Sequence, residues 1–181
     1  RNVAPAAGGQ VHSEGDGPDS ISQAVHECHA RRIGHGTRLR EDPALEAFVN
    51  DFRIPLEVCL TSNVQTGASP TYAEHPLRRY FDAGLVVTLN TDNTLFASTS
   101  PARELRLAVD TFDLTLLETE NLLINGFKSA FLPEKEKGKM ILEVLATFAE
   151  DTLRVKRVFF EGQAGPAADH VLADAMLYLP E

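Results

Sequence analysis

The sequence predicts an α/β fold in which parallel strands alternate with helices. Two observations support this prediction. Four short apolar runs alternate with amphipathic segments of helical spacing, which is the pattern of strand–helix units joined by right-handed crossovers. Polar residues follow the apolar runs at similar intervals along the 181-residue chain, at His12, His35, Asn63 and Asp92. Each interval matches about one strand–helix unit.

The predicted strands are short apolar runs that end in polar residues or glycine. In order, they cover residues 8–12, 32–36, 54–63 and 85–92. The third, "IPLEVCLTSN", is the clearest, and the first, "GGQVH", is the weakest. Buried strands of parallel sheets read as continuous apolar runs, because both of their faces are covered.

The predicted helices carry apolar residues on one face and recognisable start and stop signals. They cover residues 19–32, 42–52, 75–84, 100–112, 115–131 and 133–154. Asp42 is the expected N-cap of the second helix, and Gly84 is the expected stop of the third. The organisation predicted from these elements is one domain over residues 1–154 and a tail of uncertain structure over 155–181.

The composition excludes several functional classes. A formal charge of −9 argues against nucleic acid as the main partner, and no apolar run is long enough for a membrane span. The two isolated cysteines, Cys28 and Cys59, do not form a disulfide scaffold, so we expect a reducing cytoplasm, with Cys59 in the core. The sequence opens on Arg1 without a signal peptide, and we expect that residues before it are missing.

Several of the polar residues predicted to follow the strands can carry chemistry. Parallel α/β folds bind ligands beyond the carboxyl ends of their strands, where this pattern places His12, His35, Ser62 with Asn63, and Asp92. Two imidazoles and a carboxylate suit a zinc site that activates water. Taken singly, each residue has a simpler explanation. A histidine can be a satisfied polar residue, "GHG" can be a tight turn, and Asp92 can cap a following turn.

An open, doubly wound nucleotide-binding domain is an alternative fold. Such a domain needs a glycine-rich phosphate loop after its first strand. The segment "GGQVHSEGDG" contains glycines but lacks the G-x-G-x-x-G spacing, which argues against this alternative.

Four motifs occur in a characteristic order. "RRIGHG", "LEVCLTSNVQTG", "HPLRRYFDAG" and "VTLNTDN" are followed by "NGFKSAFLPEKEK". Together they resemble the C-terminal half of the adenosine deaminase family, from about residue 11 to 150. The resemblance implies a zinc-dependent amidohydrolase on a (β/α)₈ barrel, of which this chain would hold about four β/α units followed by C-terminal helices.

The resemblance also implies a role for individual residues. His12 and Asp92 correspond to zinc ligands, and His35 corresponds to the residue that orients and deprotonates the attacking water. Asn93 stands where many members carry an aspartate that contacts a purine ring nitrogen, and its amide can donate there. Glu14 is the candidate for the acid that protonates the neighbouring ring nitrogen.

The sequence departs from the family pattern at two points. Glu14 follows His12 by two residues, whereas the family's "HAGE" places its acid three residues after the histidine, so either the loop is shifted or the acid is lost. The His-x-His pair of the family's first strand is missing, since the histidines are at 12, 26, 29, 35, 75 and 170. Four strands do not close a barrel of eight. We therefore expect an incomplete chain that binds zinc weakly and has no significant activity alone.

The predicted function is the hydrolytic deamination of adenosine to inosine and ammonia, with a small purine nucleoside as the partner. One alternative is deamination of adenine or another aminopurine. A second alternative is a non-catalytic remnant of the fold that serves as an interaction partner. Neither the oligomeric state nor the role of residues 155–181 can be read from the sequence.

Overall fold

The computed structural model describes residues 10–12 and 17–161. The contacts divide the chain into two units, residues 1–141 and 142–181. The first unit contains the sheet and most helices. The second is described over residues 142–161, the later part of the last helix.

Four parallel strands form a sheet in the order β1-β2-β3-β4, so each strand pairs with its neighbour in sequence. They are β1 (Gln10–His12), β2 (Arg32–Gly34), β3 (Leu56–Val58) and β4 (Val87–Leu89). Because the strands run in the same direction, all four carboxyl ends lie at one edge of the sheet. This confirms the predicted parallel α/β arrangement.

Helices follow the strands, and after β4 the described part of the chain forms helices without further strands. They are α1 (Pro18–His26), α2 (Pro43–Asp51), α3 (Leu60–Gln65), α4 (Leu77–Asp82), α5 (Thr94–Ala97), α6 (Pro101–Phe112), α7 (Leu116–Ser129) and α8 (Glu134–Glu161). A 3₁₀ turn occupies Leu39–Glu41. Asp42 caps α2 by accepting hydrogen bonds from the backbone N–H groups of Ala44 and Leu45, as its position predicts.

The hydrophobic core lies between one face of the sheet and the surrounding helices. Side chains alternate between the two faces along a strand. The core set joins strand residues to residues of α1, α2, α4, α6 and α7 and includes Ile21, Ile33, Val49, Leu56, Val58, Tyr80, Val87, Ala108 and Leu122. The opposite face of the strands carries polar residues instead. Arg32 and Glu57 form an ion pair there, with 3.0 Å between Nε and Oε1.

Two predicted boundaries are wrong. The helix predicted over residues 19–32 ends at His26 and not at Arg32, because the chain must turn before β2 starts; Cys28 is exposed and does not join the apolar face. The strand predicted over residues 54–63 ends at Val58, and helix α3 begins at Leu60. A backbone N–H at the amino end of α3 has a side-chain acceptor, because the buried Glu104 carboxylate accepts from the N–H of Thr61 at 3.2 Å.

Further comparisons with the predictions concern the ends of elements. The fourth strand is shorter than predicted, and the short helix α5 follows it, with Asn93 as its N-cap. Gly84 lies just beyond α4 with a φ of +82°, a conformation that glycine adopts without steric cost, so its predicted role as the stop is confirmed. Helix α8 continues to Glu161, beyond the predicted residue 154. In the residues that the structure describes, no helix is long and apolar enough to cross a bilayer.

Candidate active site

A cavity of about 250 Å³ lies at the carboxyl ends of β2, β3 and β4. The residues that line it come from the three strand ends and the turns that follow them: Gly34, His35, Glu57, Cys59, Asn90, Thr91 and Asp92. His35 and Asp92, two predicted site residues, therefore border the same space. Parallel α/β folds bind their ligands at this edge, so this cavity is the candidate active site.

A larger cavity of about 430 Å³ lies elsewhere, beside Arg32 and Pro55. These residues stand at the amino ends of β2 and β3, opposite the edge where ligands bind in such folds. Of the predicted site residues whose side chains the structure describes, His35, Asp92 and Asn93 do not line it. We therefore assign the chemistry to the smaller cavity, on the position of its residues and not on its size.

The position of His35 is set by the turn that follows β2. His35 has a φ of +62° and Gly36 a φ of +65°, so two successive residues adopt the left-handed conformation. A β-carbon at Gly36 would also lie 3.1 Å from a methyl carbon of Leu56, which is tighter than most such contacts. The backbone N–H of His35 donates to the carbonyl of Glu57 at 2.9 Å, which ties the turn to β3. This turn holds a buried imidazole at the rim of the cavity.

A second histidine, His75, is connected to His35 through Asn63. The amide Nδ2 of Asn63 is 2.9 Å from Nδ1 of His35, and its Oδ1 is 3.1 Å from Nε2 of His75. The backbone N–H of Leu77 donates to Nδ1 of His75 at 3.1 Å. All three side chains are buried. Their hydrogen bonds therefore connect the start of α4 to the candidate active site.

Burial sets the protonation state of His75. Removal from water, reinforced by the positive charge of Arg40 and by His35, lowers the pKa of His75 from 6.5 to about 4. The imidazole is therefore neutral at neutral pH.

Asp92 follows β4 and is held by a side chain from α3. The Ser62 hydroxyl donates to Oδ2 of Asp92 at 2.6 Å, a short charge-assisted hydrogen bond. Asp92 has a φ of +50°, so the chain turns sharply at this residue. Helix α3 thus contacts both site residues, Asp92 through Ser62 and His35 through Asn63.

Asn93 acts as the N-cap of α5. Its Oδ1 accepts from the backbone N–H groups of Leu95 and Phe96 at 3.1 and 3.2 Å. The simpler explanation given for Asp92, that it caps a following turn, is wrong, because the N-cap of α5 is Asn93. The cap uses the amide oxygen, which is compatible with a role for the amide nitrogen as a donor to substrate.

Two further predicted site residues lie on or near β1. His12 ends β1, and its backbone stands opposite Gly34 in the register with β2. The end of β1 is therefore at the same edge as the ends of β2, β3 and β4. Glu14 lies outside the described residues.

Cys59 borders the cavity as a buried thiol, which confirms its predicted burial. Burial, followed by the negative charge of Asp92, raises the pKa of Cys59 from 9.0 to about 12. A thiol in this state is a poor nucleophile and a poor metal ligand at neutral pH, because both roles need the thiolate.

The described residues do not complete a zinc site. A catalytic zinc is held by three protein ligands, with a fourth position open to water. Across residues 10–12 and 17–161, no three His, Cys, Asp or Glu side chains gather where they could hold a metal ion. Asp92 has the chemistry of one ligand of such a site.

Sequence reasoning missed His75 and Glu104. His75 was assigned only to the start of a predicted helix, and Glu104 only to a helix face. Twelve positions separate His75 from Asn63, and 43 separate Glu104 from Thr61, so neither pair shares a local pattern. The first contact joins α3 to the loop before α4, and the second joins α3 to α6, so both form through tertiary packing.

Comparisons with known proteins agree with this geometry. A sequence model described as adenosine deaminase matches residues 6–147. An adenosine deaminase of Klebsiella pneumoniae is 41% identical over 135 residues, covering 74% of this chain and 40% of that protein. Adenosine deaminase 1 of Streptomyces coelicolor is 41% identical over 147 residues, covering 75% and 37%. The chain spans about 40% of the length of these curated relatives.

Solved structures give the same picture. An adenine deaminase from Arthrobacter aurescens has a TM-score of 0.73 at 28% identity, covering 76% of this chain and 42% of that chain. An amidohydrolase from Burkhoderia ambifaria with bound Zn has a TM-score of 0.71 at 25% identity, covering 81% and 42%. The N6-methyl-AMP deaminase from Arabidopsis thaliana has a TM-score of 0.68 at 28% identity, covering 78% and 41%.

These likenesses confirm the predicted fold class, a partial (β/α)₈ barrel. The sheet and its helices account for about 40% of each solved neighbour's chain. The chain belongs to the adenosine deaminase family of hydrolases.

Proposed function

We propose that the protein containing this chain hydrolyses the 6-amino group of adenosine to give inosine and ammonia. The observation that carries the proposal is the cavity at the carboxyl ends of the strands, which brings His35 and Asp92 together in a chain of the adenosine deaminase family. Hydrolytic deamination needs an oriented water beside an acceptor for its proton, and these two side chains border one space.

The other site residues contribute binding and acid catalysis in this proposal. Asn93 donates its amide N–H to a purine ring nitrogen while its oxygen caps α5. Glu14 keeps the role of the acid that protonates the ring nitrogen next to the reacting carbon. Protonation there makes the ring a better electron sink when water adds to the carbon that bears the amino group.

Zinc is the proposed cofactor, and His12 and Asp92 are the residues of this chain that would hold it. A bound zinc ion supplies a Lewis acid that lowers the pKa of its water to about 7. His12 is at the end of β1 and Asp92 follows β4, so the two residues come from the outermost strands of the described sheet. The remaining ligands come from another part of the protein in this proposal.

A related substrate is the main alternative. The solved neighbours include an adenine deaminase and an N6-methyl-AMP deaminase, so an aminopurine base or nucleotide competes with adenosine as the substrate. The cavity residues described above touch the reacting end of a purine in all three cases. They do not separate a base from a nucleoside or a nucleotide. We propose a small purine as the partner and, because both cysteines are free thiols, a reducing cytoplasm as the compartment.

A chimera tests the proposed function directly. The chain would replace the matching 40% of the Klebsiella pneumoniae adenosine deaminase, and adenosine, adenine and AMP would be assayed for release of ammonia. We expect deamination of adenosine at least tenfold faster than of the other two substrates. Faster reaction of adenine or AMP would support the alternative substrates and contradict adenosine.

Matched variants of the chimera test the site. Asp92→Asn keeps the shape of the side chain and removes its charge, and we expect a loss of at least 100-fold in kcat, the range for general acid–base groups. Asp110→Asn makes the same chemical change at an exposed residue of α6 that pairs with Arg106, and we expect no change. A folded chimera that deaminates no aminopurine, or an Asp92→Asn variant with full activity, would contradict the proposal.

A further inference from the structure

A row of hydrogen bonds connects α4 to the candidate active site and sets which group donates and which accepts at each step. It runs from the backbone N–H of Leu77 to His75, then to Asn63, and ends on Nδ1 of His35. The side chains of His75, Asn63 and His35 are 3%, 0% and 4% exposed, so water does not compete for these hydrogen bonds. Each group in the row can therefore be assigned as a donor or an acceptor.

The row begins at a group whose role is certain. A backbone N–H can only donate, so Nδ1 of His75 accepts from Leu77 and carries no proton. His75 is neutral at neutral pH because burial lowers its pKa to about 4. A neutral imidazole carries one proton, which must therefore be on Nε2 of His75.

The proton on His75 fixes the orientation of the Asn63 amide. Nε2–H of His75 donates to the oxygen 3.1 Å away, which must be Oδ1 of Asn63. The opposite orientation would put the NH₂ group of Asn63 against the N–H of His75, with two donors facing each other in a buried site. The Asn63 NH₂ group therefore faces His35 and donates to its Nδ1 at 2.9 Å.

We propose that His75 and Asn63 are positioning residues that hold neutral His35 with its proton on Nε2, so that His35 donates a hydrogen bond into the cavity. Nδ1 of His35 accepts from Asn63, so the ring proton is on Nε2, and His35 lines the cavity. The inference rests on the proposed function in one respect, that the group in the cavity that accepts from Nε2 is the attacking water.

This assignment changes the role expected of His35. Nε2 of His35 already carries a proton, so it donates hydrogen bonds and cannot accept them. His35 therefore orients the water by donating a hydrogen bond to its oxygen. The carboxylate of Asp92, which lines the same cavity, is a group that can accept the proton of the water. The proposal thus keeps the predicted role of His35 in orienting the water and assigns the acceptance of the proton to Asp92, whereas the prediction from the sequence assigned both to His35.

Nitrogen NMR of the full chain tests the proposal without substrate. With ¹⁵N-labelled histidine, long-range ¹H–¹⁵N spectra distinguish protonated from unprotonated ring nitrogens, and His→Gln variants assign His35 and His75. We expect both rings to be neutral at pH 7 with the proton on Nε2. A proton on Nδ1 of His35 in the unsubstituted chain would overturn the proposal, whether or not any variant folds.

Asn63→Asp is the matched variant, because it keeps the shape and turns the donor that faces His35 into an acceptor. We expect a proton to appear on Nδ1 of His35, while His75 keeps its proton on Nε2 because a carboxylate oxygen still accepts from it. Thr66→Val is the control, since Thr66 donates to the backbone carbonyls of Ser62 and Asn63 and touches neither ring. An Asn63→Asp variant with an unchanged His35 spectrum would contradict the role of Asn63.

The measurement is independent of the proposed function. The ring protons are observed whether or not the protein deaminates adenosine, so loss of the activity in the chimera leaves the proton assignment intact. A proton on Nδ1 of His35 would overturn the assignment and leave deamination open.

Discussion

At His75, a single buried imidazole links the stability of the fold to pH. Its pKa is about 4 in the folded protein and 6.5 in an unfolded chain, so below pH 6.5 the unfolded state binds the proton first. The contribution of His75 to stability is complete above pH 6.5. It declines as the pH falls from 6.5 to about 4, where the folded protein also becomes protonated.

We predict that acid destabilises the chain less when His75 is replaced. Between pH 7 and 4.5 the His75 contribution should fall by about 2 kcal/mol, since each pKa unit is worth about 1.4 kcal/mol. Urea unfolding at both pH values would measure the loss for the wild type and for His75→Gln. Gln does not titrate and can donate to Asn63 from a similar position. If the free energy of unfolding falls equally in the two proteins on acidification, the pKa of His75 is the same in the folded and unfolded states.

The two cysteines should differ in reactivity although neither forms a disulfide. Cys28 is exposed, whereas burial and the charge of Asp92 raise the pKa of Cys59 to about 12. With an aromatic disulfide reagent at pH 8, we predict fast reaction of one thiol in the native chain and of the second only in denaturant. Cys28→Ser serves as the control and should abolish the fast phase. Two fast equivalents in the native wild type would contradict the burial of Cys59.

At the scale of elements, α3 organises the candidate active site. This short helix carries Ser62, which contacts Asp92, and Asn63, which contacts His35. Its amino end is fixed by Glu104 of α6, whose carboxylate accepts from the Thr61 N–H at 3.2 Å and from the Thr99 hydroxyl at 2.7 Å. A single buried carboxylate therefore connects the amino end of α3 to α6.

Replacement of Glu104 should destabilise the fold and loosen α3. Glu104→Ala leaves the buried Thr61 N–H without this acceptor, and we predict a loss of about 2 kcal/mol in urea unfolding. Glu104→Gln keeps one carbonyl acceptor and should lose less than half as much. Hydrogen exchange at the backbone of α3 should be faster in the Ala variant. If the two variants are equally stable, Glu104 does not act through these hydrogen bonds.

The same helix shows what the sequence could and could not predict. The run from Leu56 to Leu60 is apolar except for Glu57, as a buried strand can be, and the strand was predicted correctly up to Val58. The helix that begins at Leu60 was not predicted, and the acceptor at its amino end, Glu104, is far away in the chain. By contrast, the start of α2 was predictable because Asp42 and Pro43 are adjacent to it.

At the scale of the whole molecule, the described sheet is open. Its four parallel strands leave β1 and β4 at the edges, and a closed barrel of this type has eight strands. The predicted ligands His12 and Asp92 stand at or just beyond the ends of these outermost strands. In the proposed function, the remaining zinc ligands come from elements that would lie between β4 and β1 in a closed barrel.

We predict that the 181-residue chain alone does not retain zinc. The described residues bring no three metal ligands together, so the affinity should be too weak to survive dialysis. Metal analysis after dialysis should give much less than one zinc per chain, and addition of a chelator should leave the thermal midpoint unchanged. One retained zinc ion per chain, lost in Asp92→Asn, would contradict this prediction.

The family and the parallel sheet were predictable because they depend on motifs and periodicity that are local in the sequence. The positions of His35 and Asp92 just beyond buried strands were also predictable in this way. The contacts that hold them were not, because Ser62 and Asp92 are 30 residues apart and Asn63 and His75 are 12 apart. The roles of His35, Asp92, Glu14, His12 and Asn93 stay predictions that the chimera can test.

The left-handed backbone at His35 and Asp92 also constrains how this protein can drift. With φ of +62° and +50°, both positions hold a backbone conformation that glycine adopts without steric cost and that His, Asp and Asn adopt more often than other residues with a side chain. The backbone alone therefore disfavours β-branched or bulky residues at positions 35 and 92, whatever the chemistry of the site. The histidine and the aspartate present here belong to the small set of residues that both turns accept.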